Sequence, residues 1–419
     1  MDAPVGARAL GRFRVVELGS TISAPFCGRL LADFGAEVIK VEDVAGDTLR
    51  TLGEQVEGKS LYAASLFRNK AVVAVDLRAE EGRAVVRDLA GAADVLVENF
   101  RPGLLERWGL GWDVLRAINP RLVIVRISGF GQTGPYAHRP GYGVIGEAVS
   151  GLRHINGDPD RPPGRMATAL TDYVTGLSAA FGALVALLHR EATGVGQCVD
   201  AALSECAFAF MEPYVQYYDR LGIVAERAGS RLPGATPNNL YPTGDGRFVL
   251  IAAFADPIFR RLCRAMGREA LADDPAFATL SARNARVEAV DAAVAAWTAT
   301  LPLDAIERAL EAAEVPATRI FTMADIFADP HYRARDMLVP VPDDDVGPIR
   351  MAAPVPRLSG TPGAVRHAGR RLGADTVRVL REVAGYDDDR IARLAAAGAI
   401  RVADAGEVAP AGGVEEGTR

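Results

Sequence analysis

The stretch RVVELGSTISAPFCGRLLADFGAEVIKVE, residues 14–42, decides the fold. RVVEL is an apolar run of strand character, APFCGRLLADFGA (24–36) carries apolar residues at helical spacing with Pro25 suited to a first turn, and EVIKVE (37–42) is strand-like again. This is a β-α-β unit. The alternation continues through AVVAVDL (71–77), EEGRAVVRDLAGA (80–92), DVLVENF (94–100) and LVIVRISGF (122–130). Strands that alternate with helices pack as a parallel layer covered on both faces, so an α/β fold with a doubly wound, mostly parallel, Rossmann-like sheet is expected.

Further along, residues 170–189 form a long apolar helix, GQCVDAAL (196–203) reads as a buried strand, and SECAFAFMEPYVQYYDRLG (204–222) as a helix opened by Ser204. The loop GSRLPGATPNN (229–239) marks a boundary, and YPTGDGRFVLIAA (241–253) followed by Ala-rich helices starts a strand-then-helix order of its own. The expected organisation is a large α/β domain over 1–225, a smaller α+β domain over 226–330, a return of the chain to the large domain over 331–400, and a disordered tail over 401–419 whose composition has little apolar material.

With 49% hydrophobic and 24% charged residues among 419, the chain can bury real cores. A net charge of −6 gives no general electrostatic reason to bind nucleic acid or an anionic membrane. The start of the chain lacks the apolar core of a signal peptide, which points to the cytoplasm. The most apolar stretch, 176–188, is 13 residues against the roughly 20 that a bilayer requires, so a buried helix is expected there. Cys27, Cys198, Cys206 and Cys263 have no C-x-x-C spacing and are expected to be buried, reduced thiols; the five histidines never fall at i, i+3 or i+4, and no metal site is expected.

GYGVIG (141–146) satisfies G-x-G-x-x-G, but it follows the turn-rich GQTGPYAHRP rather than a strand, and no acidic residue stands about 20 positions later to hold a ribose. A dinucleotide site is therefore not expected. Read with its neighbours, the region carries another message. ELGSTISAPFCGRLLADFGAEVIKVE, VENFRPGLLERWGL, ISGFGQTGPYAHRPGYG, TALTDYVTG and ATGVGQCVDAAL occur in consistent order, and together they resemble the family III CoA-transferases. The α-methylacyl-CoA racemases are similar too, but carry a His-Asp pair where this chain has Tyr142 and Gly143. Proton removal and return at carbon needs such an acid and base, which disfavours racemisation; a non-catalytic CoA-ester binding protein is the other alternative.

The resemblance implies that Asp172 of TALTDYVTG is the nucleophile, attacking an acyl-CoA to give an aspartyl anhydride and then a β-aspartyl-CoA thioester. A carboxylate with an ordinary pKa of about 3.9 is ionised at neutral pH and needs no base to activate it. Asp in a helix's first turn is also favoured by the dipole alone, and the two readings are compatible. CoA contacts implied by the resemblance fall on Val75, Leu77, Arg78, Asn99, Phe100, Arg107 and Tyr142. Basic family positions correspond to Asp43 and Pro140, so the CoA phosphates are expected to lean on Arg78, Arg107, Lys40 or Arg101. A glutamine that assists oxalate chemistry corresponds to Ile22, and a mobile tetraglycine loop to residues 229–234, so oxalate is not the expected acceptor; Arg231 is a candidate carboxylate clamp. The implied substrates are an acyl-CoA and a small carboxylic acid, with no tightly bound cofactor, and the implied assembly is an interlocked homodimer.

Overall fold

The computed structural model describes residues 8–403. Six strands form a parallel sheet: β1 (Arg14–Glu17), β2 (Glu37–Glu42), β3 (Lys70–Val75), β4 (Val95–Glu98), β5 (Val123–Ser128) and β6 (Cys198–Ala202). Their order in space is β3-β2-β1-β4-β5-β6, and the short strand Ile400–Arg401 adds antiparallel to the β3 edge. This is the doubly wound, Rossmann-type order, with the direction of winding reversing between β1 and β4.

The two faces are covered by different partners because side chains alternate along each strand. On one face Val16, Ile39, Val41, Val73, Val75, Leu96 and Ile124 pack with a helix at Glu80–Gly91 and with Val379, Leu380, Ile391 and Leu394 from the end of the chain. On the other, Val15, Val38, Val95, Val97, Val123 and Val125 pack with helix α1 (Ser23–Asp33) and a long helix at Leu170–Thr193. That long helix presses Gly176 against the Ser23 carbonyl, where a Cβ would come within 2.6 Å of the oxygen. It runs 24 residues, so it is long and apolar enough to cross a membrane by length and composition, unlike the 13-residue stretch read from the sequence. Its Ala179, Ala180, Ala183, Ala186 and Leu187 stripe is instead buried in the core of the sheet.

Other expectations shift at the edges. Cys27 and Cys263 are buried, but Cys206 is half-buried and Cys198 exposed, because β6 is the outer strand of the sheet and its first residues face outward. The helix read from Ser204 onward is two helices, Leu203–Phe208 and Tyr214–Leu221, separated at Pro213, whose ring removes an amide donor and cannot continue a helix. Arg401 belongs to a strand, not a tail; positions 404–419 of the expected tail lie outside the described residues.

The chain divides into two compact units. Among the described residues, the first takes in 8–152, then Met166–Val215, and 332–403; the second comprises Arg153–Arg165 and Gln216–His331. Where the sequence reading opens the small domain at 226, the second unit begins at Gln216 and also claims 153–165, since Arg227 donates to the carbonyls of His154 and Asp158 and the Gly229 amide donates to that of Gly157. Its three strands, β7 (Asn238–Pro242), β8 (Phe248–Ala252) and β9 (Ala317–Arg319), form an antiparallel sheet backed by Phe259, Leu262, Val294, Ile306 and Leu310.

One buried ionic group ties β1, β2 and β3 together. Glu17, Lys40 and Lys70 are all fully buried. Glu17 accepts from Lys70 Nζ at 2.7 Å and from Lys40 Nζ at 3.3 Å; Lys40 also donates to Asp47 at 3.0 Å and to the Gly19 carbonyl at 2.8 Å, and Lys70 to the Pro25 carbonyl at 2.7 Å. Burial opposes charge on both lysines. For Lys70 it wins, lowering the ammonium to about 8 against the pull of Glu17, whereas Asp47, Glu17 and Glu42 together carry Lys40 above its ordinary value. Gly28 must stay bare, because a Cβ there would sit 1.9 Å from Glu17 Oε2. Removing one member of such a group strands the others, so Glu17→Ala should cost about 3–5 kcal/mol in denaturant unfolding. Breaking the partly exposed Arg14–Glu37 pair by Glu37→Ala should cost under about 1 kcal/mol. Equal losses in the two variants would refute this account.

Candidate active site

Where the winding reverses, the chain leaves β1 and β4 for helices on opposite faces, and it is outside the carboxyl ends of the strands at such a switch point that α/β sheets bind ligands. The loop after β1, residues 19–21, is held on both sides. Asn99, directly after β4, accepts from the Ser20 amide and donates to the Ser20 carbonyl, both at 2.8 Å. Asp47 accepts from the Thr21 amide at 3.1 Å, holding Thr21 in the left-handed region at φ 65°. Gly19 allows the approach: a Cβ would lie 2.1 Å from that of Ala24 and 3.1 Å from Asn99 Oδ1.

A crossover helix runs opposite to the strands it joins, so its N-terminus lies at the same edge. Asp172 is the third residue of the helix Leu170–Thr193, henceforth α3, and α2 is Gly143–Val149. The three glycines of GYGVIG each accept a close neighbour. Gly141 meets the backbone of Gly129, where a Cβ would lie 2.7 Å from its Cα; Gly146 meets Leu203 and Thr171 at 3.0–3.1 Å; Gly143 meets the Asp172 carboxylate. A Cβ on Gly143 would stand 1.9 Å from Oδ2 and 2.7 Å from Cγ. The pattern is thus a packing device rather than a phosphate turn, and it places Asp172 over the first turn of α2, beside the positive end of its own helix.

Two tyrosines missed in the sequence border this position. Tyr62 and Tyr173 share a hydrogen bond of 2.9 Å, and Tyr173 meets Phe26 edge-on at 4.8 Å between centroids. Burial, then the bond to Tyr173 and that residue's own electrostatic effect, and last the charge of Asp172 raise the Tyr62 phenol above its ordinary value. Ile22 is buried with Leu49, Leu66 and Phe67 in the small cluster on which Tyr62 and Tyr173 pack. Only adjacency to Asp172 could have flagged Tyr173, and nothing local flags Tyr62.

Of the other predicted residues, Lys40 and Val75 lie within strands, Leu77, Arg78, Asn99, Phe100 and Arg101 follow the carboxyl ends of theirs, and the side chains differ in availability. Val75 is fully enclosed in the core and Leu77 packs against it, so Val75 supports the sheet edge rather than presenting a surface. Phe100 stands edge-on to Trp108 at 5.3 Å, its amide held at 2.7 Å by Glu98. Burial lifts the Glu98 carboxyl to about 7 against the pull of Arg126, which it meets at 2.7 Å. Tyr142 is 72% exposed. Lys40, expected as a phosphate ligand, is a correction: it is fully buried and donates inside the protein, to Glu17, Gly19 and Asp47. Arg78 is exposed but already paired with Asp76 at 2.9 Å and Asp43 at 3.3 Å. Arg101 and Arg107 are exposed and make no ion pair among the described residues. Arg231, in the second unit, is engaged by Asp291 at 2.7 Å and Glu288 at 3.4 Å. No group of three or more His, Cys, Asp or Glu is placed to hold a metal ion among the described residues.

The doubly wound sheet, with the Asp172 carboxylate in the first turn of α3, makes this an α/β protein of Rossmann-like class; comparison with known proteins gives the family. Residues 10–376 match the model of CoA-transferase family III. The chain is 46% identical over 391 residues to succinyl-CoA–D-citramalate CoA-transferase of Chloroflexus aurantiacus, covering 93% of this chain and 97% of that one. It is 42% identical to the beta subunit of succinyl-CoA–L-malate CoA-transferase of the same organism, over 93% and 98% of the two chains. The crystal structure of a CAIB/BAIF family protein from Brucella suis superposes with a TM-score of 0.79 at 35% identity, covering 91% of this chain and all of that one. The chain belongs to CoA-transferase family III, and is an enzyme that transfers CoA between an acyl-CoA and a carboxylic acid.

Asn99 offers a test of the switch-point geometry. Asn99→Ala leaves the Ser20 amide and carbonyl without these partners, and should cost about 1–3 kcal/mol of stability and speed exchange of the Ser20 amide hydrogen at least about tenfold. Unchanged exchange at Ser20 would show that the loop is held by other means.

Proposed function

We propose that this enzyme moves CoA from succinyl-CoA to a 2-hydroxysuccinate-type dicarboxylic acid, with Asp172 as the nucleophile. The observation that carries the reading is the Asp172 carboxylate, seated at the N-terminus of α3 over the bare Cα of Gly143 at the carboxyl edge of the sheet. The substrate class rests on the two Chloroflexus relatives, whose acceptors, citramalate and malate, share a hydroxylated succinate skeleton.

In the first step an Asp172 oxygen bonds to the thioester carbonyl carbon and the C–S bond breaks, giving an aspartyl-succinyl anhydride and CoA thiolate. The thiolate then attacks the aspartyl carbonyl, forming the enzyme thioester and releasing succinate. The acceptor carboxylate repeats both steps in reverse, displacing thiolate and then yielding its own CoA ester with Asp172 restored. Each exchange joins acyl derivatives of similar energy, so no external energy source is consumed. The positive helix end favours the oxyanion that forms at each attack.

For the CoA itself we infer backbone and side-chain contacts at Leu77, Asn99, Phe100 and Tyr142. Arg101 and Arg107 carry the phosphate charge more readily than Arg78, whose guanidinium is shared with two aspartates. The enzyme works as a homodimer in this reading, interlocked as the family resemblance implies. Support comes from α3, whose outer stripe of Leu177, Phe181, Leu184, Val185 and Leu188 is exposed over several turns, an area of apolar surface that monomers rarely leave open.

Asp172→Asn should keep the fold and CoA affinity while turnover falls by several orders of magnitude; retention of more than about a tenth of wild-type rate, a loss under roughly 1.4 kcal/mol, would remove Asp172 from the role. Sedimentation over a wide dilution series should show a dimer throughout, and a folded monomer at the lowest concentrations contradicts interlocked chains. In an acceptor panel of malate, citramalate, glutarate and oxalate, the hydroxylated C4–C5 diacids should lead, and a preference for oxalate would overturn the assignment of substrate class.

A further inference from the structure

We propose that Gly143 is a positioning residue for the nucleophile, and that the missing side chain at this backbone position holds the Asp172 carboxylate in its reactive orientation. The inference rests on the reading of Asp172 as nucleophile and concerns what sets its side chain.

Three reasons for a glycine are available, and two fail here. Backbone conformation does not require it: Gly143 is the first residue of α2, behind an extended Tyr142 at φ −129° and ψ 167°, and its own φ lies outside the left-handed region. Close approach of another main chain does not require it either, as it does for Gly141 against Gly129 and for Gly146 against Leu203. At Gly143 the three nearest atoms to a built Cβ are Oδ2, Cγ and Oδ1 of Asp172, at 1.9, 2.7 and 3.3 Å. The space a methyl group would fill is occupied by the carboxylate itself.

The clash has one soft member. The α3 backbone is pinned by Gly176 against the Ser23 carbonyl, and its turn is closed by Thr175 Oγ donating to the Thr171 carbonyl at 2.8 Å. Asp172 therefore cannot back away with its helix, but its side chain can turn about χ1. A side chain at 143 would thus be absorbed chiefly by reorienting the carboxylate, the one flexible group at the contact, at large cost to attack geometry. Misplacing a reacting atom by about 1 Å can cost around 10²-fold in rate. Alanine suits the first turn of a helix at least as well as glycine, so stability should hold.

The test is Gly143→Ala in the full chain, assayed by exchange of labelled succinate into succinyl-CoA, which reports the half-reactions without needing the acceptor. The expected result is a kcat lowered by about 10²-fold with KM for succinyl-CoA within about threefold, CoA affinity unchanged by calorimetry, and a melting temperature equal to or above wild type. Capture of Asp172 as its hydroxamate by hydroxylamine should slow by the same factor as kcat. Gly146→Ala, which meets backbone rather than carboxylate, should lower the melting temperature. A Gly143→Ala enzyme with kcat within threefold of wild type overturns the proposal, and so does a fall in kcat accompanied by a lower melting temperature or loss of CoA binding, which would make the contact structural. An active Asp172→Asn enzyme would instead sink the nucleophile, whatever Gly143→Ala does.

Discussion

The buried carboxylate of Glu17, shared between Lys40 and Lys70, is the constraint on which the carboxyl edge of the sheet depends. Three adjacent strands each bring one ionic group to the same buried point, so their register has a chemical as well as an apolar cause. The lysines then use their remaining donors on main-chain carbonyls, Gly19 and Pro25, on the two sides of the loop that follows β1. That loop begins helix α1, and α1 supplies the Ser23 carbonyl against which α3 is seated at Gly176. A charge cluster beneath the sheet edge is in this way coupled, through backbone, to the helix that carries Asp172.

Glycines do the complementary work of letting groups approach. Gly19 admits Asn99 and Ala24, Gly28 admits Glu17, Gly176 admits Ser23, and the GYGVIG glycines admit a main chain, a carboxylate and a second helix in turn. The spacing G-x-G-x-x-G recurs in nucleotide-binding turns because both situations need bare Cα atoms on one face of a helix start. What differs is the neighbour: a pyrophosphate in one case, the enzyme's own aspartate in the other.

Positive charge near the carboxyl ends of the strands is unevenly available. Lys40 is committed to the interior, and Arg78 is shared with Asp43 and Asp76, while Arg101 and Arg107 stand exposed. A protein with a net charge of −6 must concentrate attraction for phosphate in a few such groups. In the second unit, Arg231 is tied to Asp291, which also takes the Tyr241 hydroxyl at 2.6 Å and the Asn239 amide at 2.9 Å; the loop that carries Arg231 is therefore anchored by an ionic contact.

Periodicity alone determined the parallel sheet, because alternation of apolar strands with amphipathic helices has one compact solution, and the ordered motifs determined the family and the position of Asp172. Boundaries set by contacts distant in sequence were not legible: residues 153–165 join the second unit through Arg227 and Gly229, and the helix after Ser204 is broken at Pro213. Lys40 as a phosphate ligand and Val75 as a CoA contact were not decidable from the sequence, since a lysine's role depends on which carboxylates surround it and a valine's on which face of its strand is covered. Only the tertiary structure decided those, together with the pairing of Tyr62 with Tyr173 and the seating of Asp172 on Gly143. Such contacts join residues far apart in the chain, and a side chain's orientation is fixed by neighbours that local sequence does not name.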